Sequence, residues 1–220
     1  MNKNDPIIVS IEGNIGVGKS TLLEKLQDLP NVFVLPEPCS TWTAMSSEKI
    51  NMLELFYTNP HEHAFAFQTL TLTTRYQSFM DLINQSSFQQ CSSRPIIVCE
   101  RSLHSDHGVF AQMLKNSNHI SEPHFAINKL LFQTLSQSFS LDYIIHLQLS
   151  ETECLSRITK RNRIGEEGLV SLDYLTLLNA QTFKWIRETN VPLLEVQCNH
   201  SSEQVAAEVI GFLKSIQATS

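Results

Sequence analysis

The chain has 220 residues, 42% hydrophobic and 17% charged, which is long and apolar enough for a sizeable core. Its 16 basic and 22 acidic residues give a formal net charge of -6, which excludes a generally basic nucleic-acid-binding surface. No apolar run approaches membrane-spanning length, so we expect neither a membrane nor a nucleic acid as partner. The five cysteines are odd in number and widely spaced, which favours free thiols in an intracellular, cytoplasmic protein.

Five short apolar runs rich in β-branched residues recur between longer stretches of helical periodicity. They cover residues 7–11, 32–35, 96–99, 143–149 and 193–196. Strands that alternate with helices pair in parallel through crossover connections. The pattern predicts one α/β domain over residues 1–220, with a five-stranded parallel sheet and helices on both faces. Functional side chains are then expected at the carboxyl ends of the strands.

The clearest helix is predicted over residues 60–84. Asn59 is placed to cap it, and Glu62 is placed to complete a capping box. Beside its apolar stripe runs a polar row with the same period, formed by Gln68, Thr71 and Arg75. Further helices are predicted over residues 21–29 and from Ser150 onward. The Gln- and Ser-rich stretch 85–95 is predicted to be a surface loop.

The first predicted strand leads into Gly13-Asn-Ile-Gly-Val-Gly-Lys19-Ser20, which fits the pattern G-x-x-x-x-G-K-[ST]. Three of the chain's seven glycines lie here, where the backbone must wrap around phosphate groups. A strand precedes the motif and a helix follows it, so a chance glycine turn is a minor alternative. The motif predicts a triphosphate donor, with Lys19 on the terminal phosphates and the Ser20 hydroxyl on magnesium.

Charged residues follow two further predicted strands. Glu37 stands between two prolines, where it is either a catalytic base or an exposed loop carboxylate. Glu100 and Arg101 indicate either a metal ligand beside a cation that neutralises phosphate, or a buried structural ion pair. The basic stretch 157–168 predicts either a short Arg-rich lid or a solvated helix face.

Together these motifs resemble the deoxyribonucleoside kinase family, which includes kinases of deoxycytidine, of deoxyguanosine and, in mitochondria, of thymidine. The resemblance covers nearly the whole chain and rests on five separated motifs. They are Glu12-Gly-Asn-Ile-Gly-Val-Gly-Lys-Ser-Thr21, Pro36-Glu-Pro38 with Trp42, Phe67-Gln68 with Arg75, Glu100-Arg-Ser102 with Asp106, and Arg157 to Glu166. The resemblance implies a P-loop kinase fold and phosphorylation of a deoxyribonucleoside 5′-hydroxyl in nucleotide salvage, with Mg2+ and ATP or another triphosphate as donor.

The resemblance also implies roles for individual residues. Glu37 would be the general base on the 5′-hydroxyl, Arg101 would steady that oxygen and the moving phosphoryl group, and Lys19 would act on the donor. Ser20 and Glu100 would serve magnesium. The implied donor-binding set is Gly13, Asn14, Ile15, Gly16, Val17, Gly18, Lys19, Ser20, Thr21, Arg157, Arg161 and Arg163. The implied acceptor-binding set is Glu37, Trp42, Tyr57, Phe67, Gln68, Thr71, Arg75, Arg101, Asp106, Phe110 and Glu166.

Within the acceptor set, the resemblance assigns the base edge to Gln68, the stacking walls to Phe67 and Phe110, and the 3′-hydroxyl to Tyr57 and Glu166. Trp42 would shape the cavity around sugar and base.

Acceptor choice is expected to depend on Arg75 and Asp106. By the resemblance, members that accept thymidine have small or apolar residues there, whereas deoxycytidine and purine kinases retain both. We therefore expect deoxycytidine or a purine deoxynucleoside to be favoured over thymidine. By the resemblance, other members have a smaller residue at the position of Thr71, so Thr71 is expected to narrow the acceptor pocket. The stretch 197–200 lacks the acidic and aromatic residues of the family's donor-base loop, which leaves the donor base open.

Two other functions fit the same pattern: a non-catalytic nucleotide-binding relative, and a nucleoside monophosphate kinase. The presence of Lys19, Glu37 and Arg101 disfavours the first, because a binding module needs no base. Tyr57 and Glu166 disfavour the second, because an acidic pair repels another phosphate. The resemblance further implies a homodimer formed through helices. The eight histidines are expected to be solvated or pocket-lining residues rather than metal ligands.

Overall fold

The computed structural model describes residues 5–45, 47–91, 94–161 and 168–218. Its strands are β1 (Ile7–Gly13), β2 (Val32–Leu35), β3 (Ile96–Glu100), β4 (Tyr143–Gln148) and β5 (Leu193–Gln197). They form one sheet in the order β2-β3-β1-β4-β5, and every neighbouring pair is parallel. The predicted five-stranded parallel sheet is confirmed. β1 lies at its centre, so the loop that follows β1 sits between the flanking strands.

Eleven α-helices in the described residues connect and flank the strands. They are α1 (Lys19–Leu26), α2 (Cys39–Thr43), α3 (Met52–Thr58), α4 (Pro60–Ile83), α5 (Ser86–Gln89), α6 (Leu103–Ser105), α7 (Gln112–Asn116), α8 (Glu122–Leu135), α9 (Glu151–Arg161), α10 (Leu172–Glu188) and α11 (Ser202–Ala218). A π-helix, Asp106–Ala111, joins α6 to α7, and a 3₁₀ turn, Ser136–Ser138, follows α8. Within the described residues, no helix has the length and apolar character needed to span a bilayer.

Both faces of the sheet are buried under helices, as successive residues of β1 show. Ile7, Val9 and Ile11 point to one face and belong to a core cluster with the apolar residues of α1 and α11. Ile8 points to the other face and packs in a cluster with Leu72 of α4. All seven residues of β1 are buried, which explains why a central parallel strand has a nearly continuous apolar sequence.

The π-helix is held against α10 by a close backbone approach. A Cβ atom at Gly108 would lie 2.4 Å from Cδ1 of Trp185, so only glycine fits there without a shift of the indole ring. Gln181 Nε2 donates a hydrogen bond to the Gly108 carbonyl oxygen at 3.0 Å. Wide π turns are rare and often lie at functional sites. This one carries Asp106 and Phe110, two predicted acceptor-site residues.

Three local predictions differ from the structure. The helix after the glycine-rich loop begins at Lys19, two residues before the predicted start, because the turn of Gly18 (φ 115°) leads directly into it. The loop predicted over 85–95 contains the short helix α5. The capping box before α4 does not form: Asn59 occupies the N-cap position, but its Nδ2 donates to Glu62 Oε2 at 2.9 Å and its side chain caps no backbone N–H.

Candidate active site

The carboxyl ends of β1, β2 and β3 meet at a cleft of about 620 Å³ bounded by α2, α3, α4, the π-helix and α10. It is lined by Ile15, Gly16, Lys19, Glu37, Cys39, Trp42, Leu53, Phe56, Tyr57, Phe67, Gln68, Thr71, Arg75, Glu100, Arg101, Asp106, Phe110, Arg161 and Tyr174. Among them are all the predicted acceptor residues except Glu166, which lies outside the described residues. Parallel strands thus bring together side chains that are far apart in sequence.

Two arginines converge on the Glu37 carboxylate. Arg101 Nε lies 3.2 Å and Arg75 Nη2 lies 3.3 Å from Glu37 Oε1. The Glu37 side chain is only 16% exposed, whereas one reading of the sequence made it an exposed loop carboxylate. A carboxylate held at this position by two buried guanidinium groups has a fixed orientation toward the cleft.

Arg75 also forms a buried fork with Asp106. Its Nε donates to Asp106 Oδ2 at 2.8 Å, and its Nη1 donates to the Glu100 carbonyl oxygen at 2.6 Å. Burial opposes the charge of Arg75, but the carboxylates of Asp106 and Glu37 outweigh that effect and raise its pKa. Arg75 therefore stays charged. Burial raises the pKa of Asp106, and the charge and hydrogen bond of Arg75 oppose that rise. The pair links α4, the end of β3 and the π-helix.

Arg101 is held in an unusual backbone conformation directly after β3. Its φ of 64° lies in the left-handed region, which is strained for a residue with a side chain. The guanidinium carbon lies 4.6 Å from the centre of the Phe110 ring, and Nη1 lies 3.8 Å from Glu12 Oε2. Nη1 and Nη2 are buried and have no hydrogen-bond partner. Arg101 lines the cleft, so an anionic group bound there can accept hydrogen bonds from these two nitrogens.

The three residues of the polar row of α4 line the cleft. Gln68 is 2% exposed, and its Oε1 has no hydrogen-bond partner. An orphaned buried acceptor of this kind is rare and suits a ligand that brings a donor. The Thr71 hydroxyl donates to the Gln68 carbonyl oxygen at 3.0 Å, so it is engaged by its own helix.

Aromatic side chains enclose the opposite side of the cleft. The Phe67 ring stacks on Phe56 with centroids 4.8 Å apart, and the Trp42 ring meets its edge at 5.6 Å. The indole N–H of Trp42 donates to Thr74 Oγ1 at 3.0 Å, which fixes the ring. Tyr57 packs edge-on against Tyr174 at 5.8 Å. The cleft therefore pairs an apolar, planar wall with a row of polar groups.

The glycine-rich loop lies beside this cleft, and backbone atoms of Leu147 and Cys154 pack closely against it. A Cβ at Gly13 would lie 2.4 Å from the Leu147 carbonyl oxygen, and one at Gly16 would lie 2.6 Å from that of Cys154. Asn14 Nδ2 donates to the Leu175 carbonyl oxygen at 3.0 Å. Lys19 Nζ lies 3.0 Å from the Asn14 carbonyl oxygen, across the loop. Burial, with the Arg101 charge, lowers the pKa of Lys19 to about 8.

A second cavity, of about 990 Å³, opens on the other side of this loop. Its lining consists of Gly16, Gly18, Lys19, Ser20, Thr21, Glu24, Glu100, Arg157 and Arg161. The remaining loop residues of the predicted donor set do not line this cavity. Gly13 packs against Leu147, and the Asn14 side chain donates to Leu175. Ile15 lines the acceptor cleft, and Val17 lines a separate cavity beside Cys198. The two main cavities share Gly16, Lys19, Glu100 and Arg161, so they meet at these residues.

Ser20 and Glu100 form an oxygen pair at this junction. The Ser20 hydroxyl donates to Glu100 Oε1 at 3.1 Å. Burial and the nearby Glu37 charge raise the pKa of Glu100, which a cation in the site would reverse. In the part of the chain that the structure describes, no group of three or more His, Cys, Asp or Glu side chains is arranged to coordinate a metal ion. A hydroxyl and one carboxylate fit Mg2+, which takes most of its remaining ligands from phosphates and water.

Of the three predicted lid arginines, two are described. Arg157 donates from Nη1 to the Val17 carbonyl oxygen at 2.9 Å and from Nη2 to that of Cys198 at 3.1 Å. Arg161 lines both main cavities. Arg163 and Glu166 lie outside the described residues, as do residues 162–167 of the lid predicted over 157–168.

The histidines near the cleft are packed as structural side chains. His107 stacks on Phe132 with ring centroids 4.8 Å apart, and its Nδ1 lies 2.7 Å from Asn128 Oδ1. Burial, and the charge of His107, lower the pKa of His104 to about 4. Both rings are therefore neutral at physiological pH.

Sequence reasoning missed five residues of the site, among them Leu53 and Phe56, which line the cleft. Glu12 is fully buried beside Arg101, and its position inside an apolar strand was an available signal. Tyr174 and Cys39 line the cleft, but neither belongs to a motif, so no pattern pointed to them.

Comparison with known proteins agrees with this geometry. The sequence model of the deoxynucleoside kinase family matches residues 9–216. The chain is 33% identical to a fowlpox virus protein named "probable deoxycytidine kinase", over 86% of this chain and 77% of that one. It is 32% identical to deoxycytidine kinase 2 of Gallus gallus, over 94% and 90%, and 29% identical to deoxycytidine kinase of Homo sapiens, over 96% and 91%. The chain therefore belongs to the deoxynucleoside kinase family, and the predicted resemblance is confirmed.

Proposed function

We propose that this kinase transfers the terminal phosphoryl group of ATP, or of another nucleoside triphosphate, to the 5′-hydroxyl of deoxycytidine or a purine deoxynucleoside in preference to thymidine. The observation that carries the proposal is the junction of the two cavities. Lys19 and Glu100 line both the cavity of the phosphate-binding loop and the cleft that contains Glu37. A donor phosphate and an acceptor hydroxyl can meet only at such a junction.

Glu37 is the base of this reaction. Its carboxylate accepts the proton of the 5′-hydroxyl while the hydroxyl oxygen forms a bond to the terminal phosphorus. The bond between that phosphorus and the bridging oxygen breaks, and the nucleoside diphosphate leaves. Arg101 contacts Glu37 through Nε, and its Nη1 and Nη2, which have no hydrogen-bond partner, donate to the negatively charged oxygens at the reacting centre. The same side chain thus orients the base and neutralises charge.

Lys19 and the loop backbone hold the donor. Lys19 Nζ exchanges its carbonyl contacts for oxygens of the terminal phosphates, as the buried ammonium of a phosphate-binding loop does. Ser20 and Glu100 hold Mg2+, which supplies positive charge to the phosphate oxygens when bound. Arg161, which lines both cavities, adds a cation on the side away from the sheet.

Acceptor choice rests on α4 and the π-helix. Gln68 presents an unpartnered acceptor to the base, and Phe67 and Phe110 provide its apolar walls. Arg75 and Asp106 line the cleft as a hydrogen-bonded pair that offers polar partners and leaves less room for a thymine methyl group. Tyr57 and Glu166 are proposed to bind the 3′-hydroxyl.

The assembly and compartment are also proposed. The outer face of α8, which packs beside α4, exposes Ile127 (52%) and Leu130 (65%), and these side chains support a homodimer formed through these helices. None of the five cysteines, all of which the structure describes, forms a disulfide, which supports a reducing, cytoplasmic location. Analytical ultracentrifugation tests the dimer: a monomer at micromolar concentration contradicts it.

A phosphorylation assay with the four deoxynucleosides, their monophosphates and several triphosphate donors tests the function. We expect 5′-monophosphates from deoxycytidine and purine deoxynucleosides, and no product from Lys19→Ala. Phosphorylation of a monophosphate instead would identify a nucleoside monophosphate kinase, and binding without turnover would identify a non-catalytic relative.

A further inference from the structure

A cysteine thiol lies inside the acceptor cleft. Cys39 is the first residue of α2, is partly exposed and lines the cleft. Its Sγ lies 4.0 Å from Glu37 Oε2, whereas the two arginine contacts of Glu37 fall on Oε1. The thiol therefore stands beside the second carboxylate oxygen of Glu37.

The other four cysteines, all of which the structure describes, are in different surroundings. Cys99, Cys154 and Cys198 are buried, and burial raises the pKa of their thiols to about 12, 11 and 11. Such thiols react slowly because the nucleophile is the thiolate and because reagents cannot reach them. Cys91 lies far along the chain, after α5, where its Sγ contacts Asn31 Oδ1 at 3.2 Å.

The surroundings of Cys39 are built to receive a ligand. Gln68 Oε1 and both terminal nitrogens of Arg101 are buried without a hydrogen-bond partner, and both residues line the same cleft. Buried polar atoms are almost always paired, so these unpaired atoms indicate that the cleft lined by Cys39 binds a polar molecule. A small reagent that carries hydrogen-bonding groups can enter by the same route.

We propose that Cys39 is a covalent modification site of the acceptor cleft for small uncharged alkylating agents, and for deoxynucleosides that carry a haloacetyl group. The proposal rests on the proposed function, since it takes this cleft to be the nucleoside site. In the reaction, the sulfur forms a bond to the methylene carbon of a haloacetamide, the carbon–halogen bond breaks, halide leaves with the bonding electrons, and the thiol proton passes to solvent.

The adduct blocks catalysis by occupying space beside Glu37. The added carboxamidomethyl group takes up part of the cleft that a bound nucleoside would otherwise fill. Bound nucleoside, in turn, covers the thiol. Modification and nucleoside binding are therefore mutually exclusive.

The test uses the intact enzyme and iodoacetamide. The rate of deoxycytidine phosphorylation is measured first, so failure of the proposed function is seen independently of the labelling. Samples are then treated with and without saturating deoxycytidine, and the modified cysteine is located by peptide mass spectrometry. We expect one carboxamidomethyl group on Cys39, slower labelling with deoxycytidine present, and a loss of kcat/KM of about tenfold or more that parallels labelling.

Two variants provide the controls. The Cys91→Ser enzyme is expected to remain as sensitive to iodoacetamide as the parent enzyme. The Cys39→Ser enzyme, whatever its own rate, is expected to keep that rate after treatment. Labelling of Cys91 in place of Cys39, an unchanged labelling rate with deoxycytidine in an active enzyme, or full activity after stoichiometric labelling would each overturn the proposal.

Discussion

Arg75 and Asp106 face each other as a buried fork, with Arg75 Nε 2.8 Å from Oδ2 and Nη2 3.3 Å from Oδ1 of Asp106. Both residues are at most 5% exposed. Removing Asp106 alone takes away one of the two carboxylates that face the buried Arg75 and leaves Glu37, at 3.3 Å, as the other; breaking a buried pair costs about 3–5 kcal/mol. The role of the pair in acceptor choice is therefore best measured with both residues replaced.

The double variant Arg75→Met with Asp106→Ala is expected to raise the use of thymidine relative to deoxycytidine. The replacement removes the hydrogen-bonded pair and opens room for the thymine methyl group without leaving a lone charge. The measurement is the ratio of kcat/KM for the two nucleosides. Asp106→Ala alone should unfold at a lower temperature than the double variant, and an unchanged nucleoside ratio in the double variant contradicts the specificity argument.

Glu37→Gln is expected to keep deoxycytidine binding and to reduce kcat by about 10²–10⁴-fold, the usual contribution of a general base. The amide keeps the shape of the carboxylate but cannot accept the proton. Isothermal titration calorimetry measures binding, and steady-state assays measure turnover. Turnover within a few-fold of the parent enzyme would remove Glu37 as the base.

The affinity for the triphosphate donor is expected to fall as pH rises past 8. The pKa of Lys19 in the free enzyme is lowered to about 8, so its ammonium loses the proton above that pH and with it the attraction for phosphate. One unit above its pKa, at about pH 9, binding should be about tenfold weaker than at pH 7.

The matched control for that pH profile is Lys19→Arg, whose guanidinium stays protonated throughout. Its donor affinity, whatever its absolute value, should not show the decline between pH 7 and 9. Equal slopes for the two proteins would assign the decline to another group.

Glu100→Gln is expected to raise the Mg2+ concentration for half-maximal activity by about tenfold or more, because it removes the carboxylate that pairs with Ser20. Glu24→Gln is the matched control, since Glu24 lines the same cavity but is exposed. Titration of each variant with Mg2+ distinguishes them. Similar midpoints for the two variants would argue against a metal at Glu100.

Gly108→Ala is expected to destabilise the fold by about 1–3 kcal/mol, because its Cβ would lie 2.4 Å from the Trp185 ring. Gly211→Ala is the control: it lies within α11, a Cβ there meets nothing within 4 Å, and it should add about 0.5–1 kcal/mol. Thermal denaturation measures both. Equal melting temperatures for the two variants would contradict the close contact.

The sequence predicted the parts of the molecule that follow a local period. The five strands and the polar row of α4 are confirmed, since continuous apolar runs and three- and four-residue steps record burial directly. The glycine-rich loop was predictable because its strand, its glycines and its helix are contiguous. Glu37, Glu100 and Arg101 were locatable because strand ends collect functional groups.

Contacts between distant segments were not predictable. The π turn that carries Asp106 depends on the packing of Trp185 against Gly108, residues from different helices, and nothing local in either segment indicates it. Tyr174 enters the cleft through the packing of α10. The predicted capping box at Asn59 was wrong because the Asn59 side chain hydrogen-bonds to the Glu62 side chain and caps no backbone N–H group.

The three polar residues of α4 stand on successive turns of one helix 24 residues long, and Thr71 is tied to it by its own hydroxyl. Their spacing is set by the helical repeat and cannot be adjusted one residue at a time. Under the proposed function, a change of nucleobase preference therefore proceeds by exchanging side chains at positions that the helix holds fixed relative to one another.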